Sequence, residues 1–164
     1  MTLAVIGIYV ALLAWETVIP ARALPPVRGW RTKGGIAFLV YVFVSTYLPL
    51  IWGEAIAPLQ LFDLGAMPVV AATVVGLLTY ELGVWVWHRT MHRFDVLWRS
   101  FHQMHHSAER IDVSGAFWFS PLDMIGWTAL FSLCLTVVGL PVQAIIATNL
   151  IATLLTVFQH ANLR

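Results

Sequence analysis

An all-α fold, a polytopic bundle of about four to five transmembrane spans with a cytosolic histidine-rich cap, is what this sequence predicts, on three observations. Charged residues make up only 10% of the chain and hydrophobic residues 60%, with a mean hydropathy of +0.83, and a soluble domain carries far more charge. The apolar residues fall in runs long enough to cross a hydrocarbon core of about 30 Å as helices. All six histidines stand at or just beyond the ends of those runs. A chain of 164 residues makes one domain, here a single membrane domain over residues 1–164. The net charge of +1 excludes a nucleic-acid partner, which needs a dense basic surface. Cys134 is the single cysteine and lies in an apolar run; it allows no disulfide framework and reads as a small buried hydrophobe.

The first span, about 3–19, is uncharged from Thr2 to Trp15. Ala21-Arg22-Ala23 resembles a small-residue cleavage site, but no base precedes the apolar run and the arginines follow it, so a retained helix is expected rather than a signal peptide. Gly34 to Gly53 is uncharged and supplies the second span, about 35–52. Pro68 to Trp87 supplies the third, about 68–87, interrupted only by Glu81. Met124 to Gln159 is uncharged throughout, and Gly139-Leu140-Pro141 divides it into spans of about 122–139 and 141–158 joined by a tight turn. Between the third and fourth spans, residues 88–120 form the metal-site segment. Within it Phe94 to Arg110 is expected as a helix along the membrane surface and Asp112 to Ser120 as a connecting loop.

The charges orient the bundle. Arg22, Arg28, Arg31 and Lys33 follow the first span, Arg89, Arg93, Arg99 and Arg110 the third, and Arg164 the fifth. With five alternating spans every base falls on one side, while the loop Glu54 to Met67 has acids and no base. The positive-inside bias makes the basic side cytoplasmic and puts the N-terminus outside. The expected location is a multi-pass integral membrane protein of a bacterial-type inner membrane or an ER-like membrane, with its histidines at the cytoplasmic face.

His88 and His92 continue the third span at spacing i, i+4, which puts both imidazoles on one helix face and lets two ring nitrogens converge on a metal. His102-Gln103-Met104-His105-His106 repeats the spacing at i, i+3 and i, i+4, and His160 ends the fifth span. Idle polar groups are costly at membrane depth, so six clustered imidazoles read as ligands rather than as interfacial polar residues. Imidazole suits zinc, copper, iron and nickel. A structural zinc is satisfied by four ligands and usually takes thiolates, so six histidines without a thiolate point to two ions. Haem needs axial histidines from facing helices, not triplets on one segment. A nitrogen-rich dinuclear site beside lipid suits oxygen activation, with iron as the expected metal.

His88-Arg89-x-x-His92, then Leu97-Trp98-Arg99 leading into His102-x-x-His105-His106-Ser107, resembles the fatty acid hydroxylase / sterol desaturase superfamily of membrane di-iron enzymes. The likeness runs through Phe119-Ser120-Pro121-Leu122-Asp123 to Phe158-Gln159-His160-Ala161-Asn162 and covers about residues 78–164. It implies a four-helix transmembrane core capped by a cytosolic di-metal centre. It also implies O₂-dependent hydroxylation or desaturation of a fatty acid, sterol or related lipid, with O₂ as co-substrate. The electrons would come from an external donor of the ferredoxin, cytochrome b5 or reductase type. By this resemblance the metal ligands are His88, His92, His102, His105, His106 and His160, with two iron ions as cofactor and zinc as a substitute in purified protein. No catalytic residue beyond the ligands is implied. The superfamily carries a further His-x-x-His-His box downstream of the segment resembling Phe158 to Arg164, so this chain is expected to be an N-terminal portion or a truncated paralogue with an incomplete dinuclear site. Ser120 stands before Pro121 where relatives often have His.

Glu81, Trp85, His88 and His92 share one helical face by their spacing. Glu81 could accept the second N–H of a ligand imidazole, or pair with another polar group of the bundle. Asn162 is a further outer candidate, with a helix-end cap as its other role. Arg89, Arg93 and Arg99 read as interfacial anchors or a dock for an acidic electron donor. Trp85, Trp87, Trp98, Phe117, Trp118 and Phe119 read as an interfacial belt or as walls of a lipid channel. The functional reading is a membrane di-iron lipid oxygenase. The alternatives are a truncated, inactive membrane metal-binding protein and a scaffold with pH-sensitive interfacial histidines. Two irons per chain select the first, one metal or zinc the second, and none the third.

Overall fold

The computed structural model describes residues 1–164. Five long helices carry the fold: α1 (Thr2–Val18), α2 (Trp30–Ile56), α3 (Val69–Arg93), α4 (Pro121–Val138) and α5 (Val142–His160). There is no strand, only an isolated antiparallel bridge between Pro20 and Leu163. Four helices are long and apolar enough to cross a membrane: Trp30–Leu59, Val69–Arg93, Pro121–Val138 and Val142–His160. The apolar α1 is shorter. In lipid only helices or closed barrels satisfy the backbone, and these helices pair theirs internally except at their ends and opposite Pro49 in α2. Phe43, Leu50, Ile51, Leu78 and Leu82 are exposed on the outside of the bundle, the surface that hydrocarbon covers.

The helix ends show why an uncharged run is an imperfect guide to a helix. The second helix begins at Trp30, ahead of the expected span 35–52, and takes in Arg31 and Lys33. Trp30 is buried, and its Nε1–H donates to Asp112 Oδ1 at 2.8 Å. Tertiary packing therefore starts this helix. The third helix runs on past residue 87 to Arg93 and so carries His88 and His92 rigidly. Ser120 caps α4, its hydroxyl accepting from Asp123 N–H at 3.1 Å, and Pro121 occupies the first helical position, where its missing N–H costs nothing. Gly139 ends α4 with φ +60°, a left-handed C-cap that glycine adopts without strain.

Around the bundle α1 packs on α5, α5 on α3, α3 on α4 and α4 on α2. The rings of Tyr9 on α1 and Phe38 on α2 stack at 3.9 Å. The five helices thus surround a lumen. At the histidine end the lumen is closed by residues 112–117, all buried. This corrects the expectation of a plain connecting loop: the segment is a plug. Asp112 accepts from Gly115 N–H at 3.1 Å as well as from Trp30 and pairs with Arg110, so its own turn and α2 are tied together. Gly34 lies so close to the Ser114 backbone that a Cβ would collide with the Ser114 carbonyl. The surface helix expected over Phe94 to Arg110 is also shorter and less regular. A helical turn at Asp95–Leu97 leads into a π-helical turn at Trp98–His102 and then Gln103–His106. The bends around Ser107–Ile111 fold the chain back into the plug.

Candidate metal centre

The six histidines meet at the end of the bundle that carries the plug. On α3, His88 Nε2 and His92 Nε2 are 3.0 Å apart. On the 95–106 segment, His102 Nε2 and His106 Nε2 are 3.1 Å apart. These four offer ligand atoms within 4.8 Å of one another. Helical geometry explains why His105 leaves this group. At about 100° per residue, His105 and His106 diverge by roughly that angle, so one cannot follow the other toward α3. His105 turns to α5 instead, where its Nε2 lies 3.3 Å from His160 Nε2. The two groups remain contiguous, with His102 and His105 ring centroids 5.3 Å apart.

The outer partners of two rings set their tautomers. His102 Nδ1 and Asp123 Oδ2 are 3.3 Å apart, and both residues are fully buried, at 1% and 0% exposure. A carboxylate that accepts from Nδ1–H leaves the Nε2 lone pair free for a metal. His160 Nδ1 donates to the Thr156 carbonyl at 2.7 Å, with the same result. His105 packs against Phe119 at 4.9 Å between ring centroids. Burial first, then the neighbouring imidazoles of His160, His102, His106 and His88, pushes the His105 pKa down from 6.5 to about 3. His106 is lowered too, by burial and then by His102, His92 and His160. Both rings therefore stay neutral, the form that binds metals.

The fit to a metal can be tested by distance. Two imidazole nitrogens each about 2.0–2.1 Å from one ion stand roughly 2.9–3.4 Å apart at right or tetrahedral angles. All three Nε2 pairs, at 3.0, 3.1 and 3.3 Å, fall in that range. Asp123 Oδ1 and His105 Nδ1 are buried without a partner, which leaves polar capacity at the rim of each group.

Asp123 stands at the first turn of an otherwise apolar helix, and in the sequence it is visible only as the end of the Phe119–Asp123 motif. Its signal was a carboxylate on a helix set to enter lipid. Glu81, expected to serve the ligands, is instead exposed and makes no hydrogen bond or ion pair. It stands about two helical turns from His88, too far along the axis to reach the ring directly. Asn162 is also drawn elsewhere: its side chain accepts from Arg22 N–H at 3.2 Å and donates to the Arg22 carbonyl at 2.8 Å. It staples the end of α5 to the chain leaving α1. Beside it lies Glu16, buried on α1 and unnoticed in the sequence. Its Oε2 accepts from Val113 N–H at 2.9 Å and Asn162 N–H at 2.8 Å. Ser120, the departure before Pro121, donates to the Phe101 carbonyl at 3.0 Å and so clamps the π-helical turn to α4.

Among known proteins, residues 73–164 match the family model described as fatty acid hydroxylase. That stretch takes in all six histidines and Asp123, and leaves out α1 and α2. Over 135 residues the chain is 26% identical to the ornithine lipid hydroxylase OlsE of Rhizobium tropici, covering 80% of this chain and 40% of that protein. The chain thus spans about two fifths of the length of this curated relative. No solved structure matches.

Proposed function

Because the chain belongs to the fatty acid hydroxylase family, we propose that it is a membrane-embedded oxidoreductase that hydroxylates a lipid with O₂ at a histidine-bound pair of iron ions. The observation that carries this reading is the three Nε2 pairs at metal-ligand spacing. His88, His92, His102 and His106 would hold one ion and His105 with His160 the other. Family membership favours iron over zinc, and a set of imidazoles without thiolate is consistent with either. When bound, the ions would supply the O₂-derived oxidant that an unactivated C–H bond requires.

The chain's own residues orient and enclose. Asp123 and the Thr156 carbonyl hold the second N–H of His102 and His160, so each ring is presented by Nε2. Trp98 stands 4.9 Å from His92 and 5.1 Å from His106, and Trp127 6.3 Å from His102, between ring centroids. These rings flank the four-histidine group, which His92 and His106 leave open on its outer side. A lipid substrate is supported by the family and by the name of the relative, an ornithine lipid hydroxylase. An external electron donor, of the ferredoxin, cytochrome b5 or reductase type, would reduce the centre. The arginines at 89, 93 and 99 beside His92 suit an acidic one. The distribution of bases favours a cytoplasmic centre and an outside N-terminus. In a background without Cys134, Gln60→Cys should be labelled from outside intact cells and Ser107→Cys should not; the reverse pattern overturns the orientation.

The test of the function is iron content together with incorporation of ¹⁸O from ¹⁸O₂ into lipid, with reductant and donor supplied. Two irons and labelled hydroxy-lipid support the reading. The unequal ligand number, four imidazoles against two, favours a second reading in which only the first group holds a metal and the chain is an inactive metal-binding protein. One ion per chain without labelled product would select it.

A further inference from the structure

The lumen inside the helix ring is a cavity of about 520 Å³, lined by α1, α2, α3, α4, α5 and the plug residue Phe117. That size is in the range of small-molecule sites, roughly 300–1,000 Å³. Apart from the α-amino group of Met1, no charged group and no histidine lines it, so its walls favour a neutral occupant. It is not simply greasy either. Thr46 on α2, Thr136 on α4, and Asn149 and Thr153 on α5 face it, and none of these side chains hydrogen-bonds to the chain. Other hydroxyls in the wall behave differently: those of Ser45, Thr128 and Ser132 donate to backbone carbonyls. Trp52 also lines the lumen, and its Nε1–H is buried with no acceptor. At membrane depth an unpaired hydroxyl or amide is costly; the Thr46, Thr136, Asn149 and Thr153 side chains are half-buried and open to a polar partner inside the lumen, whereas the buried Trp52 N–H is out of its reach.

The histidine end of the cavity is set by Tyr41, Phe117 and Thr156. Tyr41 and Phe117 rings stack at 4.9 Å, Phe117 meets Phe119 at 6.1 Å, and Phe119 rests on His105. Thr156 is the residue whose carbonyl holds His160. The lumen therefore ends one layer of residues from the His105–His160 pair, not at the four-histidine group. By the rise of a helix, Asn149 lies about 16 Å from His160 along α5.

We propose that the lumen binds a neutral hydrocarbon chain bearing a hydrogen-bonding oxygen function, such as an amide, ester or hydroxyl. The polar function sits at Asn149 and Thr153, which share one face of α5 one turn apart, and the chain runs from there toward the His105–His160 pair. Presentation of the chain to a metal rests on the oxygenase reading above; binding itself does not. The separation between Asn149 and His160 then acts as a ruler that selects which carbon approaches the centre.

The experiment uses the full chain in lipid nanodiscs and two photoactivatable probes of equal length, a diazirine-bearing N-methyl fatty amide and a diazirine-bearing alkane. Cross-links are mapped by mass spectrometry. The amide should label lumen residues such as Tyr41, Phe131 and Ala152. Asn149→Leu and Thr153→Val should each cut its labelling about fivefold, the effect of one lost hydrogen bond, and leave the alkane unchanged. Thr153→Val keeps the side-chain shape and so guards against misfolding as the cause. His160→Ala should keep amide labelling while losing metal, which separates failure of this proposal from failure of the oxygenase reading. The proposal is overturned if cross-links fall only on outward residues such as Leu50 and Leu78, if both lumen variants label like the parent, or if the alkane displaces the amide equally well. It is overturned as well if a membrane-impermeant thiol reagent modifies Asn149→Cys regardless of the amide, since the lumen would then be a water-filled vestibule.

Discussion

His88, His92, His102 and His106 are drawn from two neighbouring stretches of chain by local helical spacing, whereas His105 and His160 meet across 55 residues. The first group is open, with His92 and His106 exposed and only His102 buried at its base. The second is partly buried under Phe119 and depends on where α5 ends. Two helical turns suffice to build the first group. The second exists only because α1, the plug and α5 are tied together through Glu16 and Asn162. A local group and a long-range group should therefore fail in different ways, and that difference can be tested by mutation.

The largest separation is expected from removing His102. It is the buried member of the open group, and Asp123 fixes its orientation. His102→Ala should weaken metal binding at that group by more than the roughly 10–100-fold that loss of an outer partner costs. His105→Ala should leave the open group loaded. Metal titration against a chelator of known affinity measures both, and equal losses from the two substitutions would merge the groups into one site.

Asp123→Asn sharpens the same contrast. The amide keeps the shape but presents an N–H as readily as an oxygen, so His102 loses a defined tautomer. A 10–100-fold loss at the open group is expected, with the His105–His160 pair unaffected because His160 leans on a backbone carbonyl that substitution at position 123 does not touch. Full affinity in this variant would show that Asp123 does not orient a ligand.

Glu16→Ala probes the other side. Two buried N–H groups, on Val113 and Asn162, lose their acceptor, at a cost on the order of 1–3 kcal/mol each. The plug and the end of α5 should loosen, lowering occupancy at His105–His160 and leaving the open group near its parent affinity. A uniform loss across both groups would argue that Glu16 only holds the fold.

These contrasts also mark what the sequence could reveal. The helices were legible because a lipid solvent forces continuous apolar runs, and His88/His92 and His102/His106 because i, i+4 spacing is a local geometric statement. The division of labour between His105 and His106 was not legible, because it depends on where α5 places His160. Glu16 was passed over because one acid at the end of an apolar run looks like an interfacial residue; its partners lie 97 and 146 residues away. Asp112 to Ser120 reads as a connecting loop because Asp112, Ser114 and Gly115 are turn residues, and only Trp30 and Gly34 on another helix make 112–117 a plug. Glu81 misled because sharing a helical face is not the same as reaching the same atom.

Acid provides the finest contrast. His105 ordinarily would titrate near 6.5, and burial with its imidazole neighbours brings it to about 3. The direction matters. A base whose folded pKa is depressed takes up its proton more readily when unfolded, so the unfolded chain binds more protons than the folded one between those two values. The metal-free chain should therefore hold its stability above about pH 6.5, lose it progressively as pH falls toward 3, and lose no more on this account below that. His106 is exposed and its shift is in the same direction, but water around it relieves part of the burden. His105→Gln should accordingly flatten the acid limb of a denaturation series more than His106→Gln does. Bound metal keeps the sign of this slope and steepens it, because protons and metal compete for the same lone pairs; added iron should stabilise the parent most near neutral pH, lose that gain as pH falls, and do less for His105→Gln. Equal acid limbs for the two metal-free variants would mean that the buried pair and the open group share one environment.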